Sequence, residues 1–293
     1  MVMAEITASQ VKELREQTGA GMMECKNALK ESNGDMEKAM EWLRQKGLAA
    51  AAKKSSRAAS EGLVVGKVSA DGKTAVLLEV NCETDFVARN EQFQQFTQEL
   101  AEIALSSKAN SADELLSQNK NGKTVKDLLA DKVSTIGENM VLRRANFIEL
   151  KGDGTIGLYV HALGGKMGSL VALQSDKPVS AEDVSTVARD IAMHIVSAKP
   201  QFVDRSEIPA ETIENERRIE AGKEDLAKKP AEIRDKIVNG RVDKIFAERC
   251  LLEQDFVKDP SQKVSQVLKL KDKGVELKPT KFALYILGEN LEG

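Results

Sequence analysis

One arrangement of hydrophobic segments occurs twice in this sequence, and any fold of the chain has to accommodate both copies. The first opens at residue 62. Leu63-Val64-Val65 and Ala75-Val76-Leu77-Leu78 are short aliphatic runs on either side of Ala70-Asp71-Gly72-Lys73. An Asp-Gly turn between such runs predicts a β-hairpin. Helical spacing follows, with Phe93, Phe96, Leu100, Ile103 and Ala104 on one face. The second copy opens near residue 145, where "NFIEL", "GTIGLYVHAL" and "GSLVALQ" read as strands separated by Gly turns and "SAEDVSTVARDIAMHIV" reads as a helix. "TQELAEIAL" and "VARDIAMHIV" occupy equivalent places, which predicts an internal duplication of a strand–strand–helix unit.

Ahead of the first copy, residues 4–47 read as three short helices. Thr7-Ala8-Ser9-Gln10 is a capping box, with Ile6 and Val11 as its hydrophobic staple. Gly19 stops the first helix, Gly34 the second, and Asp35 caps the third. On that third helix Met36, Ala39, Met40 and Leu43 fall on one apolar face. A unit this small is expected to lean on a neighbour. Between Glu41 and Glu61 the only charges are Arg44, Lys46, Lys53, Lys54 and Arg57, in an Ala- and Ser-rich setting. A helical linker with solvated lysines suits this run better than an RNA anchor, because no aromatic stacking residues are interleaved.

Residues 204–249 change character, with dense charge, Pro209 and Pro230. Pro230 fits the first turn of a helix on which Ile233, Ile237, Val242 and Ile245 form a thin apolar stripe. Two such charged helices predict a projecting antiparallel hairpin, inserted within the second repeat before the chain returns to strand in "KFALYIL". The expected class is α+β. The expected boundaries are 1–56 for the helical module and linker, 57–150 for the first core subdomain, 151–203 and 247–293 for the two parts of the second, and 204–246 for the hairpin.

Composition narrows the function. Only 4% of residues are aromatic against 41% hydrophobic, so the cores must be built from Ala, Val, Ile, Leu and Met. A net charge of −3 creates no global field toward nucleic acid or membrane. Cys25, Cys82 and Cys250 are odd in number and far apart, which suits a reduced compartment rather than a disulfide framework or zinc site. No apolar run approaches ~18 residues and no basic-then-apolar leader opens the chain, so it reads as cytoplasmic.

Motifs that suggest chemistry fail on context. Gly152-Asp153-Gly154-Thr155-Ile156-Gly157 spells the dinucleotide fingerprint, but β-like "LYVHAL" follows where a helix N-terminus is required. Gly72-Lys73-Thr74 and Gly122-Lys123-Thr124 lack the earlier glycine of a phosphate loop; Lys67 and Ser117 stand there. His161 and His194 lie in different elements, without Cys or carboxylate at ligand spacing, and His194 reads as a packed helix residue. No catalytic residue, metal site or cofactor is therefore expected, and a binding protein is.

Four segments, "TGAGMMECKNALKESNGDMEKAMEWLRQKG", "EVNCETDFVARN", "IAMHIVSAKPQFV" and "GRVDKIFAERCLLEQDFVKDPSQKV", together resemble the bacterial elongation factor Ts family, over about residues 4–288. The resemblance implies a guanine-nucleotide exchange factor that binds elongation factor Tu–GDP, displaces its magnesium ion and promotes GDP release. It implies a ubiquitin-associated-like fold for the three N-terminal helices, two α+β core subdomains, and a hairpin projecting from the second. It implies that Asp85 and Phe86, with Thr84 and Val87, enter the partner's GTPase domain near its magnesium site. On residues alone, Phe86 equally suits a plug in this protein's own core.

Met22 and Met23 follow Gly19-Ala20-Gly21 where the resembled module presents an apolar patch, although spacing favours a core position for at least one of them. His161 stands where the family has a contacting histidine. No direct nucleic-acid or membrane partner is expected, and a homodimer or 2:2 complex with elongation factor Tu is allowed. The alternatives are a ubiquitin-associated-like scaffold or an RNA-binding protein, neither with exchange activity. Two departures are visible: many members continue past the last strand with a short helical tail where this sequence ends at Gly293, and Met1-Val2 precede the usual start at Met3.

Overall fold

A computed structural model describes residues 6–162, 164–226 and 229–290; Met1-Val2 and the final Leu291-Glu292-Gly293 lie outside the described residues. Helices α1 (Ala8–Thr18), α2 (Met22–Glu31) and α3 (Met36–Lys54) form the N-terminal module. Both bonds of the Thr7–Gln10 capping box are made, Gly19 ends α1 in the left-handed region at φ 69°, and Asp35 accepts the Lys38 N–H at the start of α3. Leu14, Cys25, Ala28, Leu29 and Ala39 are fully buried between the helices, with Met36, Met40 and Leu43 packed against them. The third helix is longer than the sequence suggested, because the Ala-rich run 49–52 simply continues it to Lys54. That extension is the support the module needs. Arg44 pairs with Asp127 at 3.0 Å and Lys54 donates to the Val133 carbonyl at 3.3 Å, both on a later helix.

The first repeat begins with the hairpin β1 (Glu61–Val68) and β2 (Thr74–Cys82), followed by the single turn α4 (Asp85–Ala88) and α5 (Glu91–Ser107). Next come α6 (Ala112–Ser117), the small hairpin β3 (Asn119–Lys120) and β4 (Lys123–Thr124), α7 (Val125–Ile136), and β5 (Met140–Glu149), antiparallel to β2. The second repeat has the hairpin β6 (Gly154–Val160) and β7 (Met167–Ser175), then α8 (Ala181–Ala198). The insertion carries α9 (Ala210–Ala221) and α10 (Ala231–Arg249). After it come β8 (Asp255–Phe256), β9 (Asp259–Lys263), α11 (Val264–Val267) and β10 (Lys269–Leu270). The last strand, β11 (Val275–Ile286), returns antiparallel to β7.

"NFIEL" therefore does not open the second copy. It is the return strand of the first, ordered β1-β2-β5, and the second sheet is β10-β11-β7-β6. The physical reason lies in β2, which is buried along nearly its whole length and needs hydrogen-bonded partners on both sides. Its continuous aliphatic run reflects burial on both faces. Val76, Leu78 and Val80 point into the core beneath α5, while Ala75 and Leu77 meet Ile156, Leu170 and Ala172 of the second sheet. Strand β7 is divided likewise, with Val171 and Leu173 facing Ala188, Ile191 and Ile195 of α8. The layers thus run helix, sheet, sheet, helix, with an aliphatic seam between the sheets.

The glycines of the false dinucleotide fingerprint have structural work. Gly154, at φ 123°, turns the chain into β6, and a Cβ on Gly157 would lie 2.1 Å from the Ala188 carbonyl oxygen, so α8 sits directly on the strand. His194 is buried in that helix, bonded to Gln254 at 2.9 Å and receiving the Val257 N–H at 3.2 Å.

Within the insertion α9 and α10 run antiparallel, shown by the pairs Arg249–Glu216 at 2.8 Å and Arg241–Glu220 at 3.6 Å. The packed stripe differs from the expected one. Val238, Val242 and Phe246 are buried with Ile208 and Leu226, Ile237 is half-buried, and Ile233 points outward. Phe246 fixes the helix's rotation because its ring has the most apolar area to bury. Pro230 sits one residue before the helix, as its cap.

Candidate functional site

The turn between β2 and α5 is assembled by a clasp between two loops that the ladder brings together. Cys82 of β2 pairs with Met140, so residues 83–84 and 138–139 leave the sheet side by side. Glu138 takes both donors of Thr84, its Oε2 accepting the backbone N–H at 3.0 Å and its Oε1 the hydroxyl at 2.6 Å. In return Glu83 Oε1 accepts the Asn139 N–H at 2.6 Å. Asn139 is itself buried and donates to the Arg57 carbonyl at 2.8 Å, tying in the end of the helical linker. Thr84 then caps α4, its Oγ1 accepting the Val87 N–H at 3.3 Å. Asn90 starts α5 by accepting the Gln92 N–H at 2.8 Å.

Within this frame the residues of the turn have different environments. Ala88 is buried and Val87 is half-buried against the first core, so these two anchor the turn. Asp85 makes an exposed ion pair with Arg89 at 2.9 Å, an interaction worth little and easily exchanged. Phe86 is 80% exposed, the most exposed large apolar side chain among the described residues. It does not plug this protein's own core. Cys82 just before the turn is buried, and burial together with the Glu138 carboxylate pushes its thiol up to about 12, which keeps it neutral and unreactive.

Met22 and Met23 open α2 directly after Gly21 and are 59% and 65% exposed, so neither belongs to the three-helix core. His161 follows β6 at the turn into β7, half-buried, with its ring edge-on to Tyr159 at 6.2 Å. Helix α5 lies between these regions. One flank forms a cleft with Gln17, Thr18 and Gly19 of the N-terminal module through Gln92 and Phe96, and the other forms a groove with His161 through Glu91, Gln94 and Gln98. Phe86 stands at the head of the same helix. Phe86 and His161 thus lie at the head and along one flank of α5, and Gly19, three residues before Met22, borders the other flank.

Glu83, Glu138 and Asn139 were not found in the sequence. They lie 56 residues apart along the chain for Glu83–Asn139, and no local spacing marks a carboxylate that serves a distant loop. Among the described residues no group of three or more His, Cys, Asp or Glu could hold a metal ion, and no helix is long and apolar enough to cross a membrane. The basic run 44–57 is largely paired: Arg44 with Asp127, Lys46 over the Trp42 ring, Lys54 with a helix carbonyl, and Arg57 with Glu83 at 3.4 Å.

A two-sheet α+β body with a helical module at one end, holding a phenylalanine outward on a clasped turn, is built to engage another macromolecule. The sequence matches the family described as Elongation factor TS over residues 83–289. It is 45% identical to elongation factor Ts of Trichlorobacter lovleyi, covering 98% of this chain and 94% of that protein, and 44% identical to that of Nostoc sp., covering 99% and 95%. Elongation factor Ts of Paramagnetospirillum magneticum is 47% identical, over 99% of this chain and 94% of its own length. The chain belongs to the elongation factor Ts family.

Proposed function

We propose that this chain is the guanine-nucleotide exchange factor of elongation factor Tu in translation elongation, and that it acts by binding alone, with no covalent step. The observation that carries the reading is the 80% exposed Phe86 on a turn held rigid from both sides. A phosphate-bound magnesium ion depends on a few oxygens in near-ideal octahedral geometry. An aromatic ring wedged into an apolar crevice beside those ligands moves them and weakens magnesium first, then GDP. Asp85 exchanges its Arg89 pairing for polar groups of the partner uncovered by that movement. Met22, Met23 and His161 dock the two ends of the surface around α5.

Linkage makes such a factor reusable. Whatever factor it imposes on GDP affinity, GDP imposes on its own, and so does incoming GTP. Paired basic residues in 44–57 weigh against the RNA-binding alternative, and neither nucleic acid nor membrane is part of the reading. Mixing the protein with elongation factor Tu loaded with fluorescent GDP, with excess unlabelled GDP present, measures the central claim. Release should accelerate with added protein and saturate; release at the spontaneous rate would leave only a scaffold.

A further inference from the structure

We infer that Glu138, supported by Glu83 and Asn139, is a positioning residue for exchange: it fixes the turn so that Phe86 is presented already in its working conformation. The inference rests on the wedge reading of Phe86 given above and extends it to residues that hold the turn from within this chain.

The geometry is that of a reciprocal lock. Each of the two loops contributes one glutamate, and each glutamate accepts a backbone N–H from the opposite loop: Thr84 N–H to Glu138 at 3.0 Å and Asn139 N–H to Glu83 at 2.6 Å. Glu138 adds a second bond from the Thr84 hydroxyl at 2.6 Å, so the carboxylate grips the capping residue by two points and cannot pivot. That same hydroxyl oxygen receives the Val87 N–H, so the rotamer that Glu138 selects at Thr84 is the one that winds Asp85–Ala88 into a helical turn. Gly137, at φ 93°, closes α7 and directs Glu138 toward the lock.

A four-residue helical turn has almost no stability of its own, since nucleation is unfavourable and few bonds repay it. Without the clasp, Phe86 would sample many directions, with only Val87 and Ala88 packed beneath it. Ordering that segment at the moment of docking would then draw on binding energy. A loosened turn lowers the fraction of docked complexes in which the ring occupies the crevice, while the wider surface still docks. Glu138 therefore belongs to the rate of release at saturation more than to affinity.

The test is rapid-mixing release of fluorescent GDP from elongation factor Tu, titrated with each variant of the full chain, alongside thermal melts. Glu138→Ala is expected to lower the saturated release rate about tenfold, with the half-saturating concentration shifted by less than about threefold. Glu138→Gln keeps an oxygen for the Thr84 N–H and should recover most of the rate. The decisive measurement is the double variant Phe86→Ala/Glu138→Ala. If Glu138 acts through the ring, the pair releases GDP no more slowly than Phe86→Ala alone. Multiplying losses, or a Glu138→Ala rate equal to the parent's, would overturn the positioning role and leave the wedge reading standing. A Phe86→Ala protein as active as the parent would overturn both together. Should Glu138→Ala not fold, Thr84→Val removes the hydroxyl half of the lock, and the same non-additivity with Phe86→Ala is required of it.

Discussion

Both repeats place a turn between their second strand and their long helix, and both turns are tied to the head of the return strand. In the second repeat Asp176 accepts the Glu276 N–H at 2.8 Å and Lys177 donates to the Gly274 carbonyl at 2.7 Å, at the start of β11. In the first, Glu83 and Glu138 tie residues 83–84 to the segment entering β5. The fastening is shared and the cargo is not. Residues 176–180, Asp-Lys-Pro-Val-Ser, hold out no aromatic side chain, whereas the first turn holds out Phe86. The two repeats thus share a fastened turn at equivalent places, and only the first of these turns presents an exposed aromatic side chain.

The largest effect on this pairing is expected where the two repeats are joined. Glu79 of β2 is fully buried between the sheets, bonded to Arg143 at 2.9 Å, Arg144 at 2.7 Å and the Gly288 N–H at 2.8 Å just beyond β11. Arg144 continues to Glu289 at 2.6 Å and stacks on Tyr285 at 3.9 Å. Glu79→Ala leaves two arginines without their shared partner and should cost roughly 3–5 kcal/mol of stability, read as a fall in Tm. A parent-like melt would mean that the aliphatic seam alone joins the sheets. Burial pushes the Glu79 carboxyl up, but the Gly288 N–H and the two arginines outweigh it and hold the group below its ordinary 4.5. Its stabilisation is therefore complete above that ordinary value and is lost as pH falls toward the lower folded value. The Tm of the parent should drop on acidification below about 4.5, and Glu79→Gln should flatten that limb of the profile.

Next in size is the loss of the outward ring. Phe86→Ala should slow GDP release about 30-fold, the equivalent of about 2 kcal/mol for an anchoring aromatic at an interface, while Tm stays unchanged because the ring touches little of its own protein. A slowed release accompanied by a lowered Tm would return Phe86 to a packing role. The comparison between repeats is sharpened by the reciprocal experiment: replacing Lys177 with Phe should give no exchange activity to a Phe86→Ala protein.

The smallest effects belong to the flanks. Met22→Ser, Met23→Ser and His161→Ala should each weaken binding by less than about 1 kcal/mol, measured as the half-saturating concentration, and leave both the melt and the saturated release rate near the parent's. A saturated rate that fell with unchanged affinity would move His161 from docking into displacement.

Local features were readable wherever the physics is local. The Thr7 and Asp35 caps, the Asp71-Gly72 turn, the apolar face of α5 and the strand character of 154–160 each depend on residues a few positions apart. What failed depends on partners far along the chain. Nothing in "NFIEL" says which sheet it joins, since that is decided by the unpaired edge of β2 some 70 residues earlier. The rotation of α10 was misread because Ile233 and Phe246 are equally apolar in a pattern, and only Ile208 and Leu226 across the hairpin choose between them. For the site, the motif resemblance located Phe86, but its exposure could not be read from hydrophobicity, which would bury it. The residues that hold it are glutamates, a type whose ordinary place is the surface.

The insertion in the second repeat is closed at its root. Phe202 and Cys250 bridge, the Gln201 N–H reaches the Arg249 carbonyl at 2.8 Å, and the Leu251 N–H reaches the Phe202 carbonyl at 2.9 Å. For the rest of the chain, residues 204–249 are thus a loop whose two ends are already stapled, and the entropy of closing a loop grows only as the logarithm of its length, about 0.6 kcal/mol per doubling. The arm can be lengthened, trimmed or exchanged at nearly constant cost to the sheets from which it springs. Its length is a free variable of this architecture, open to selection or to engineering as a grafting site, while the spacing of the strands on either side is not.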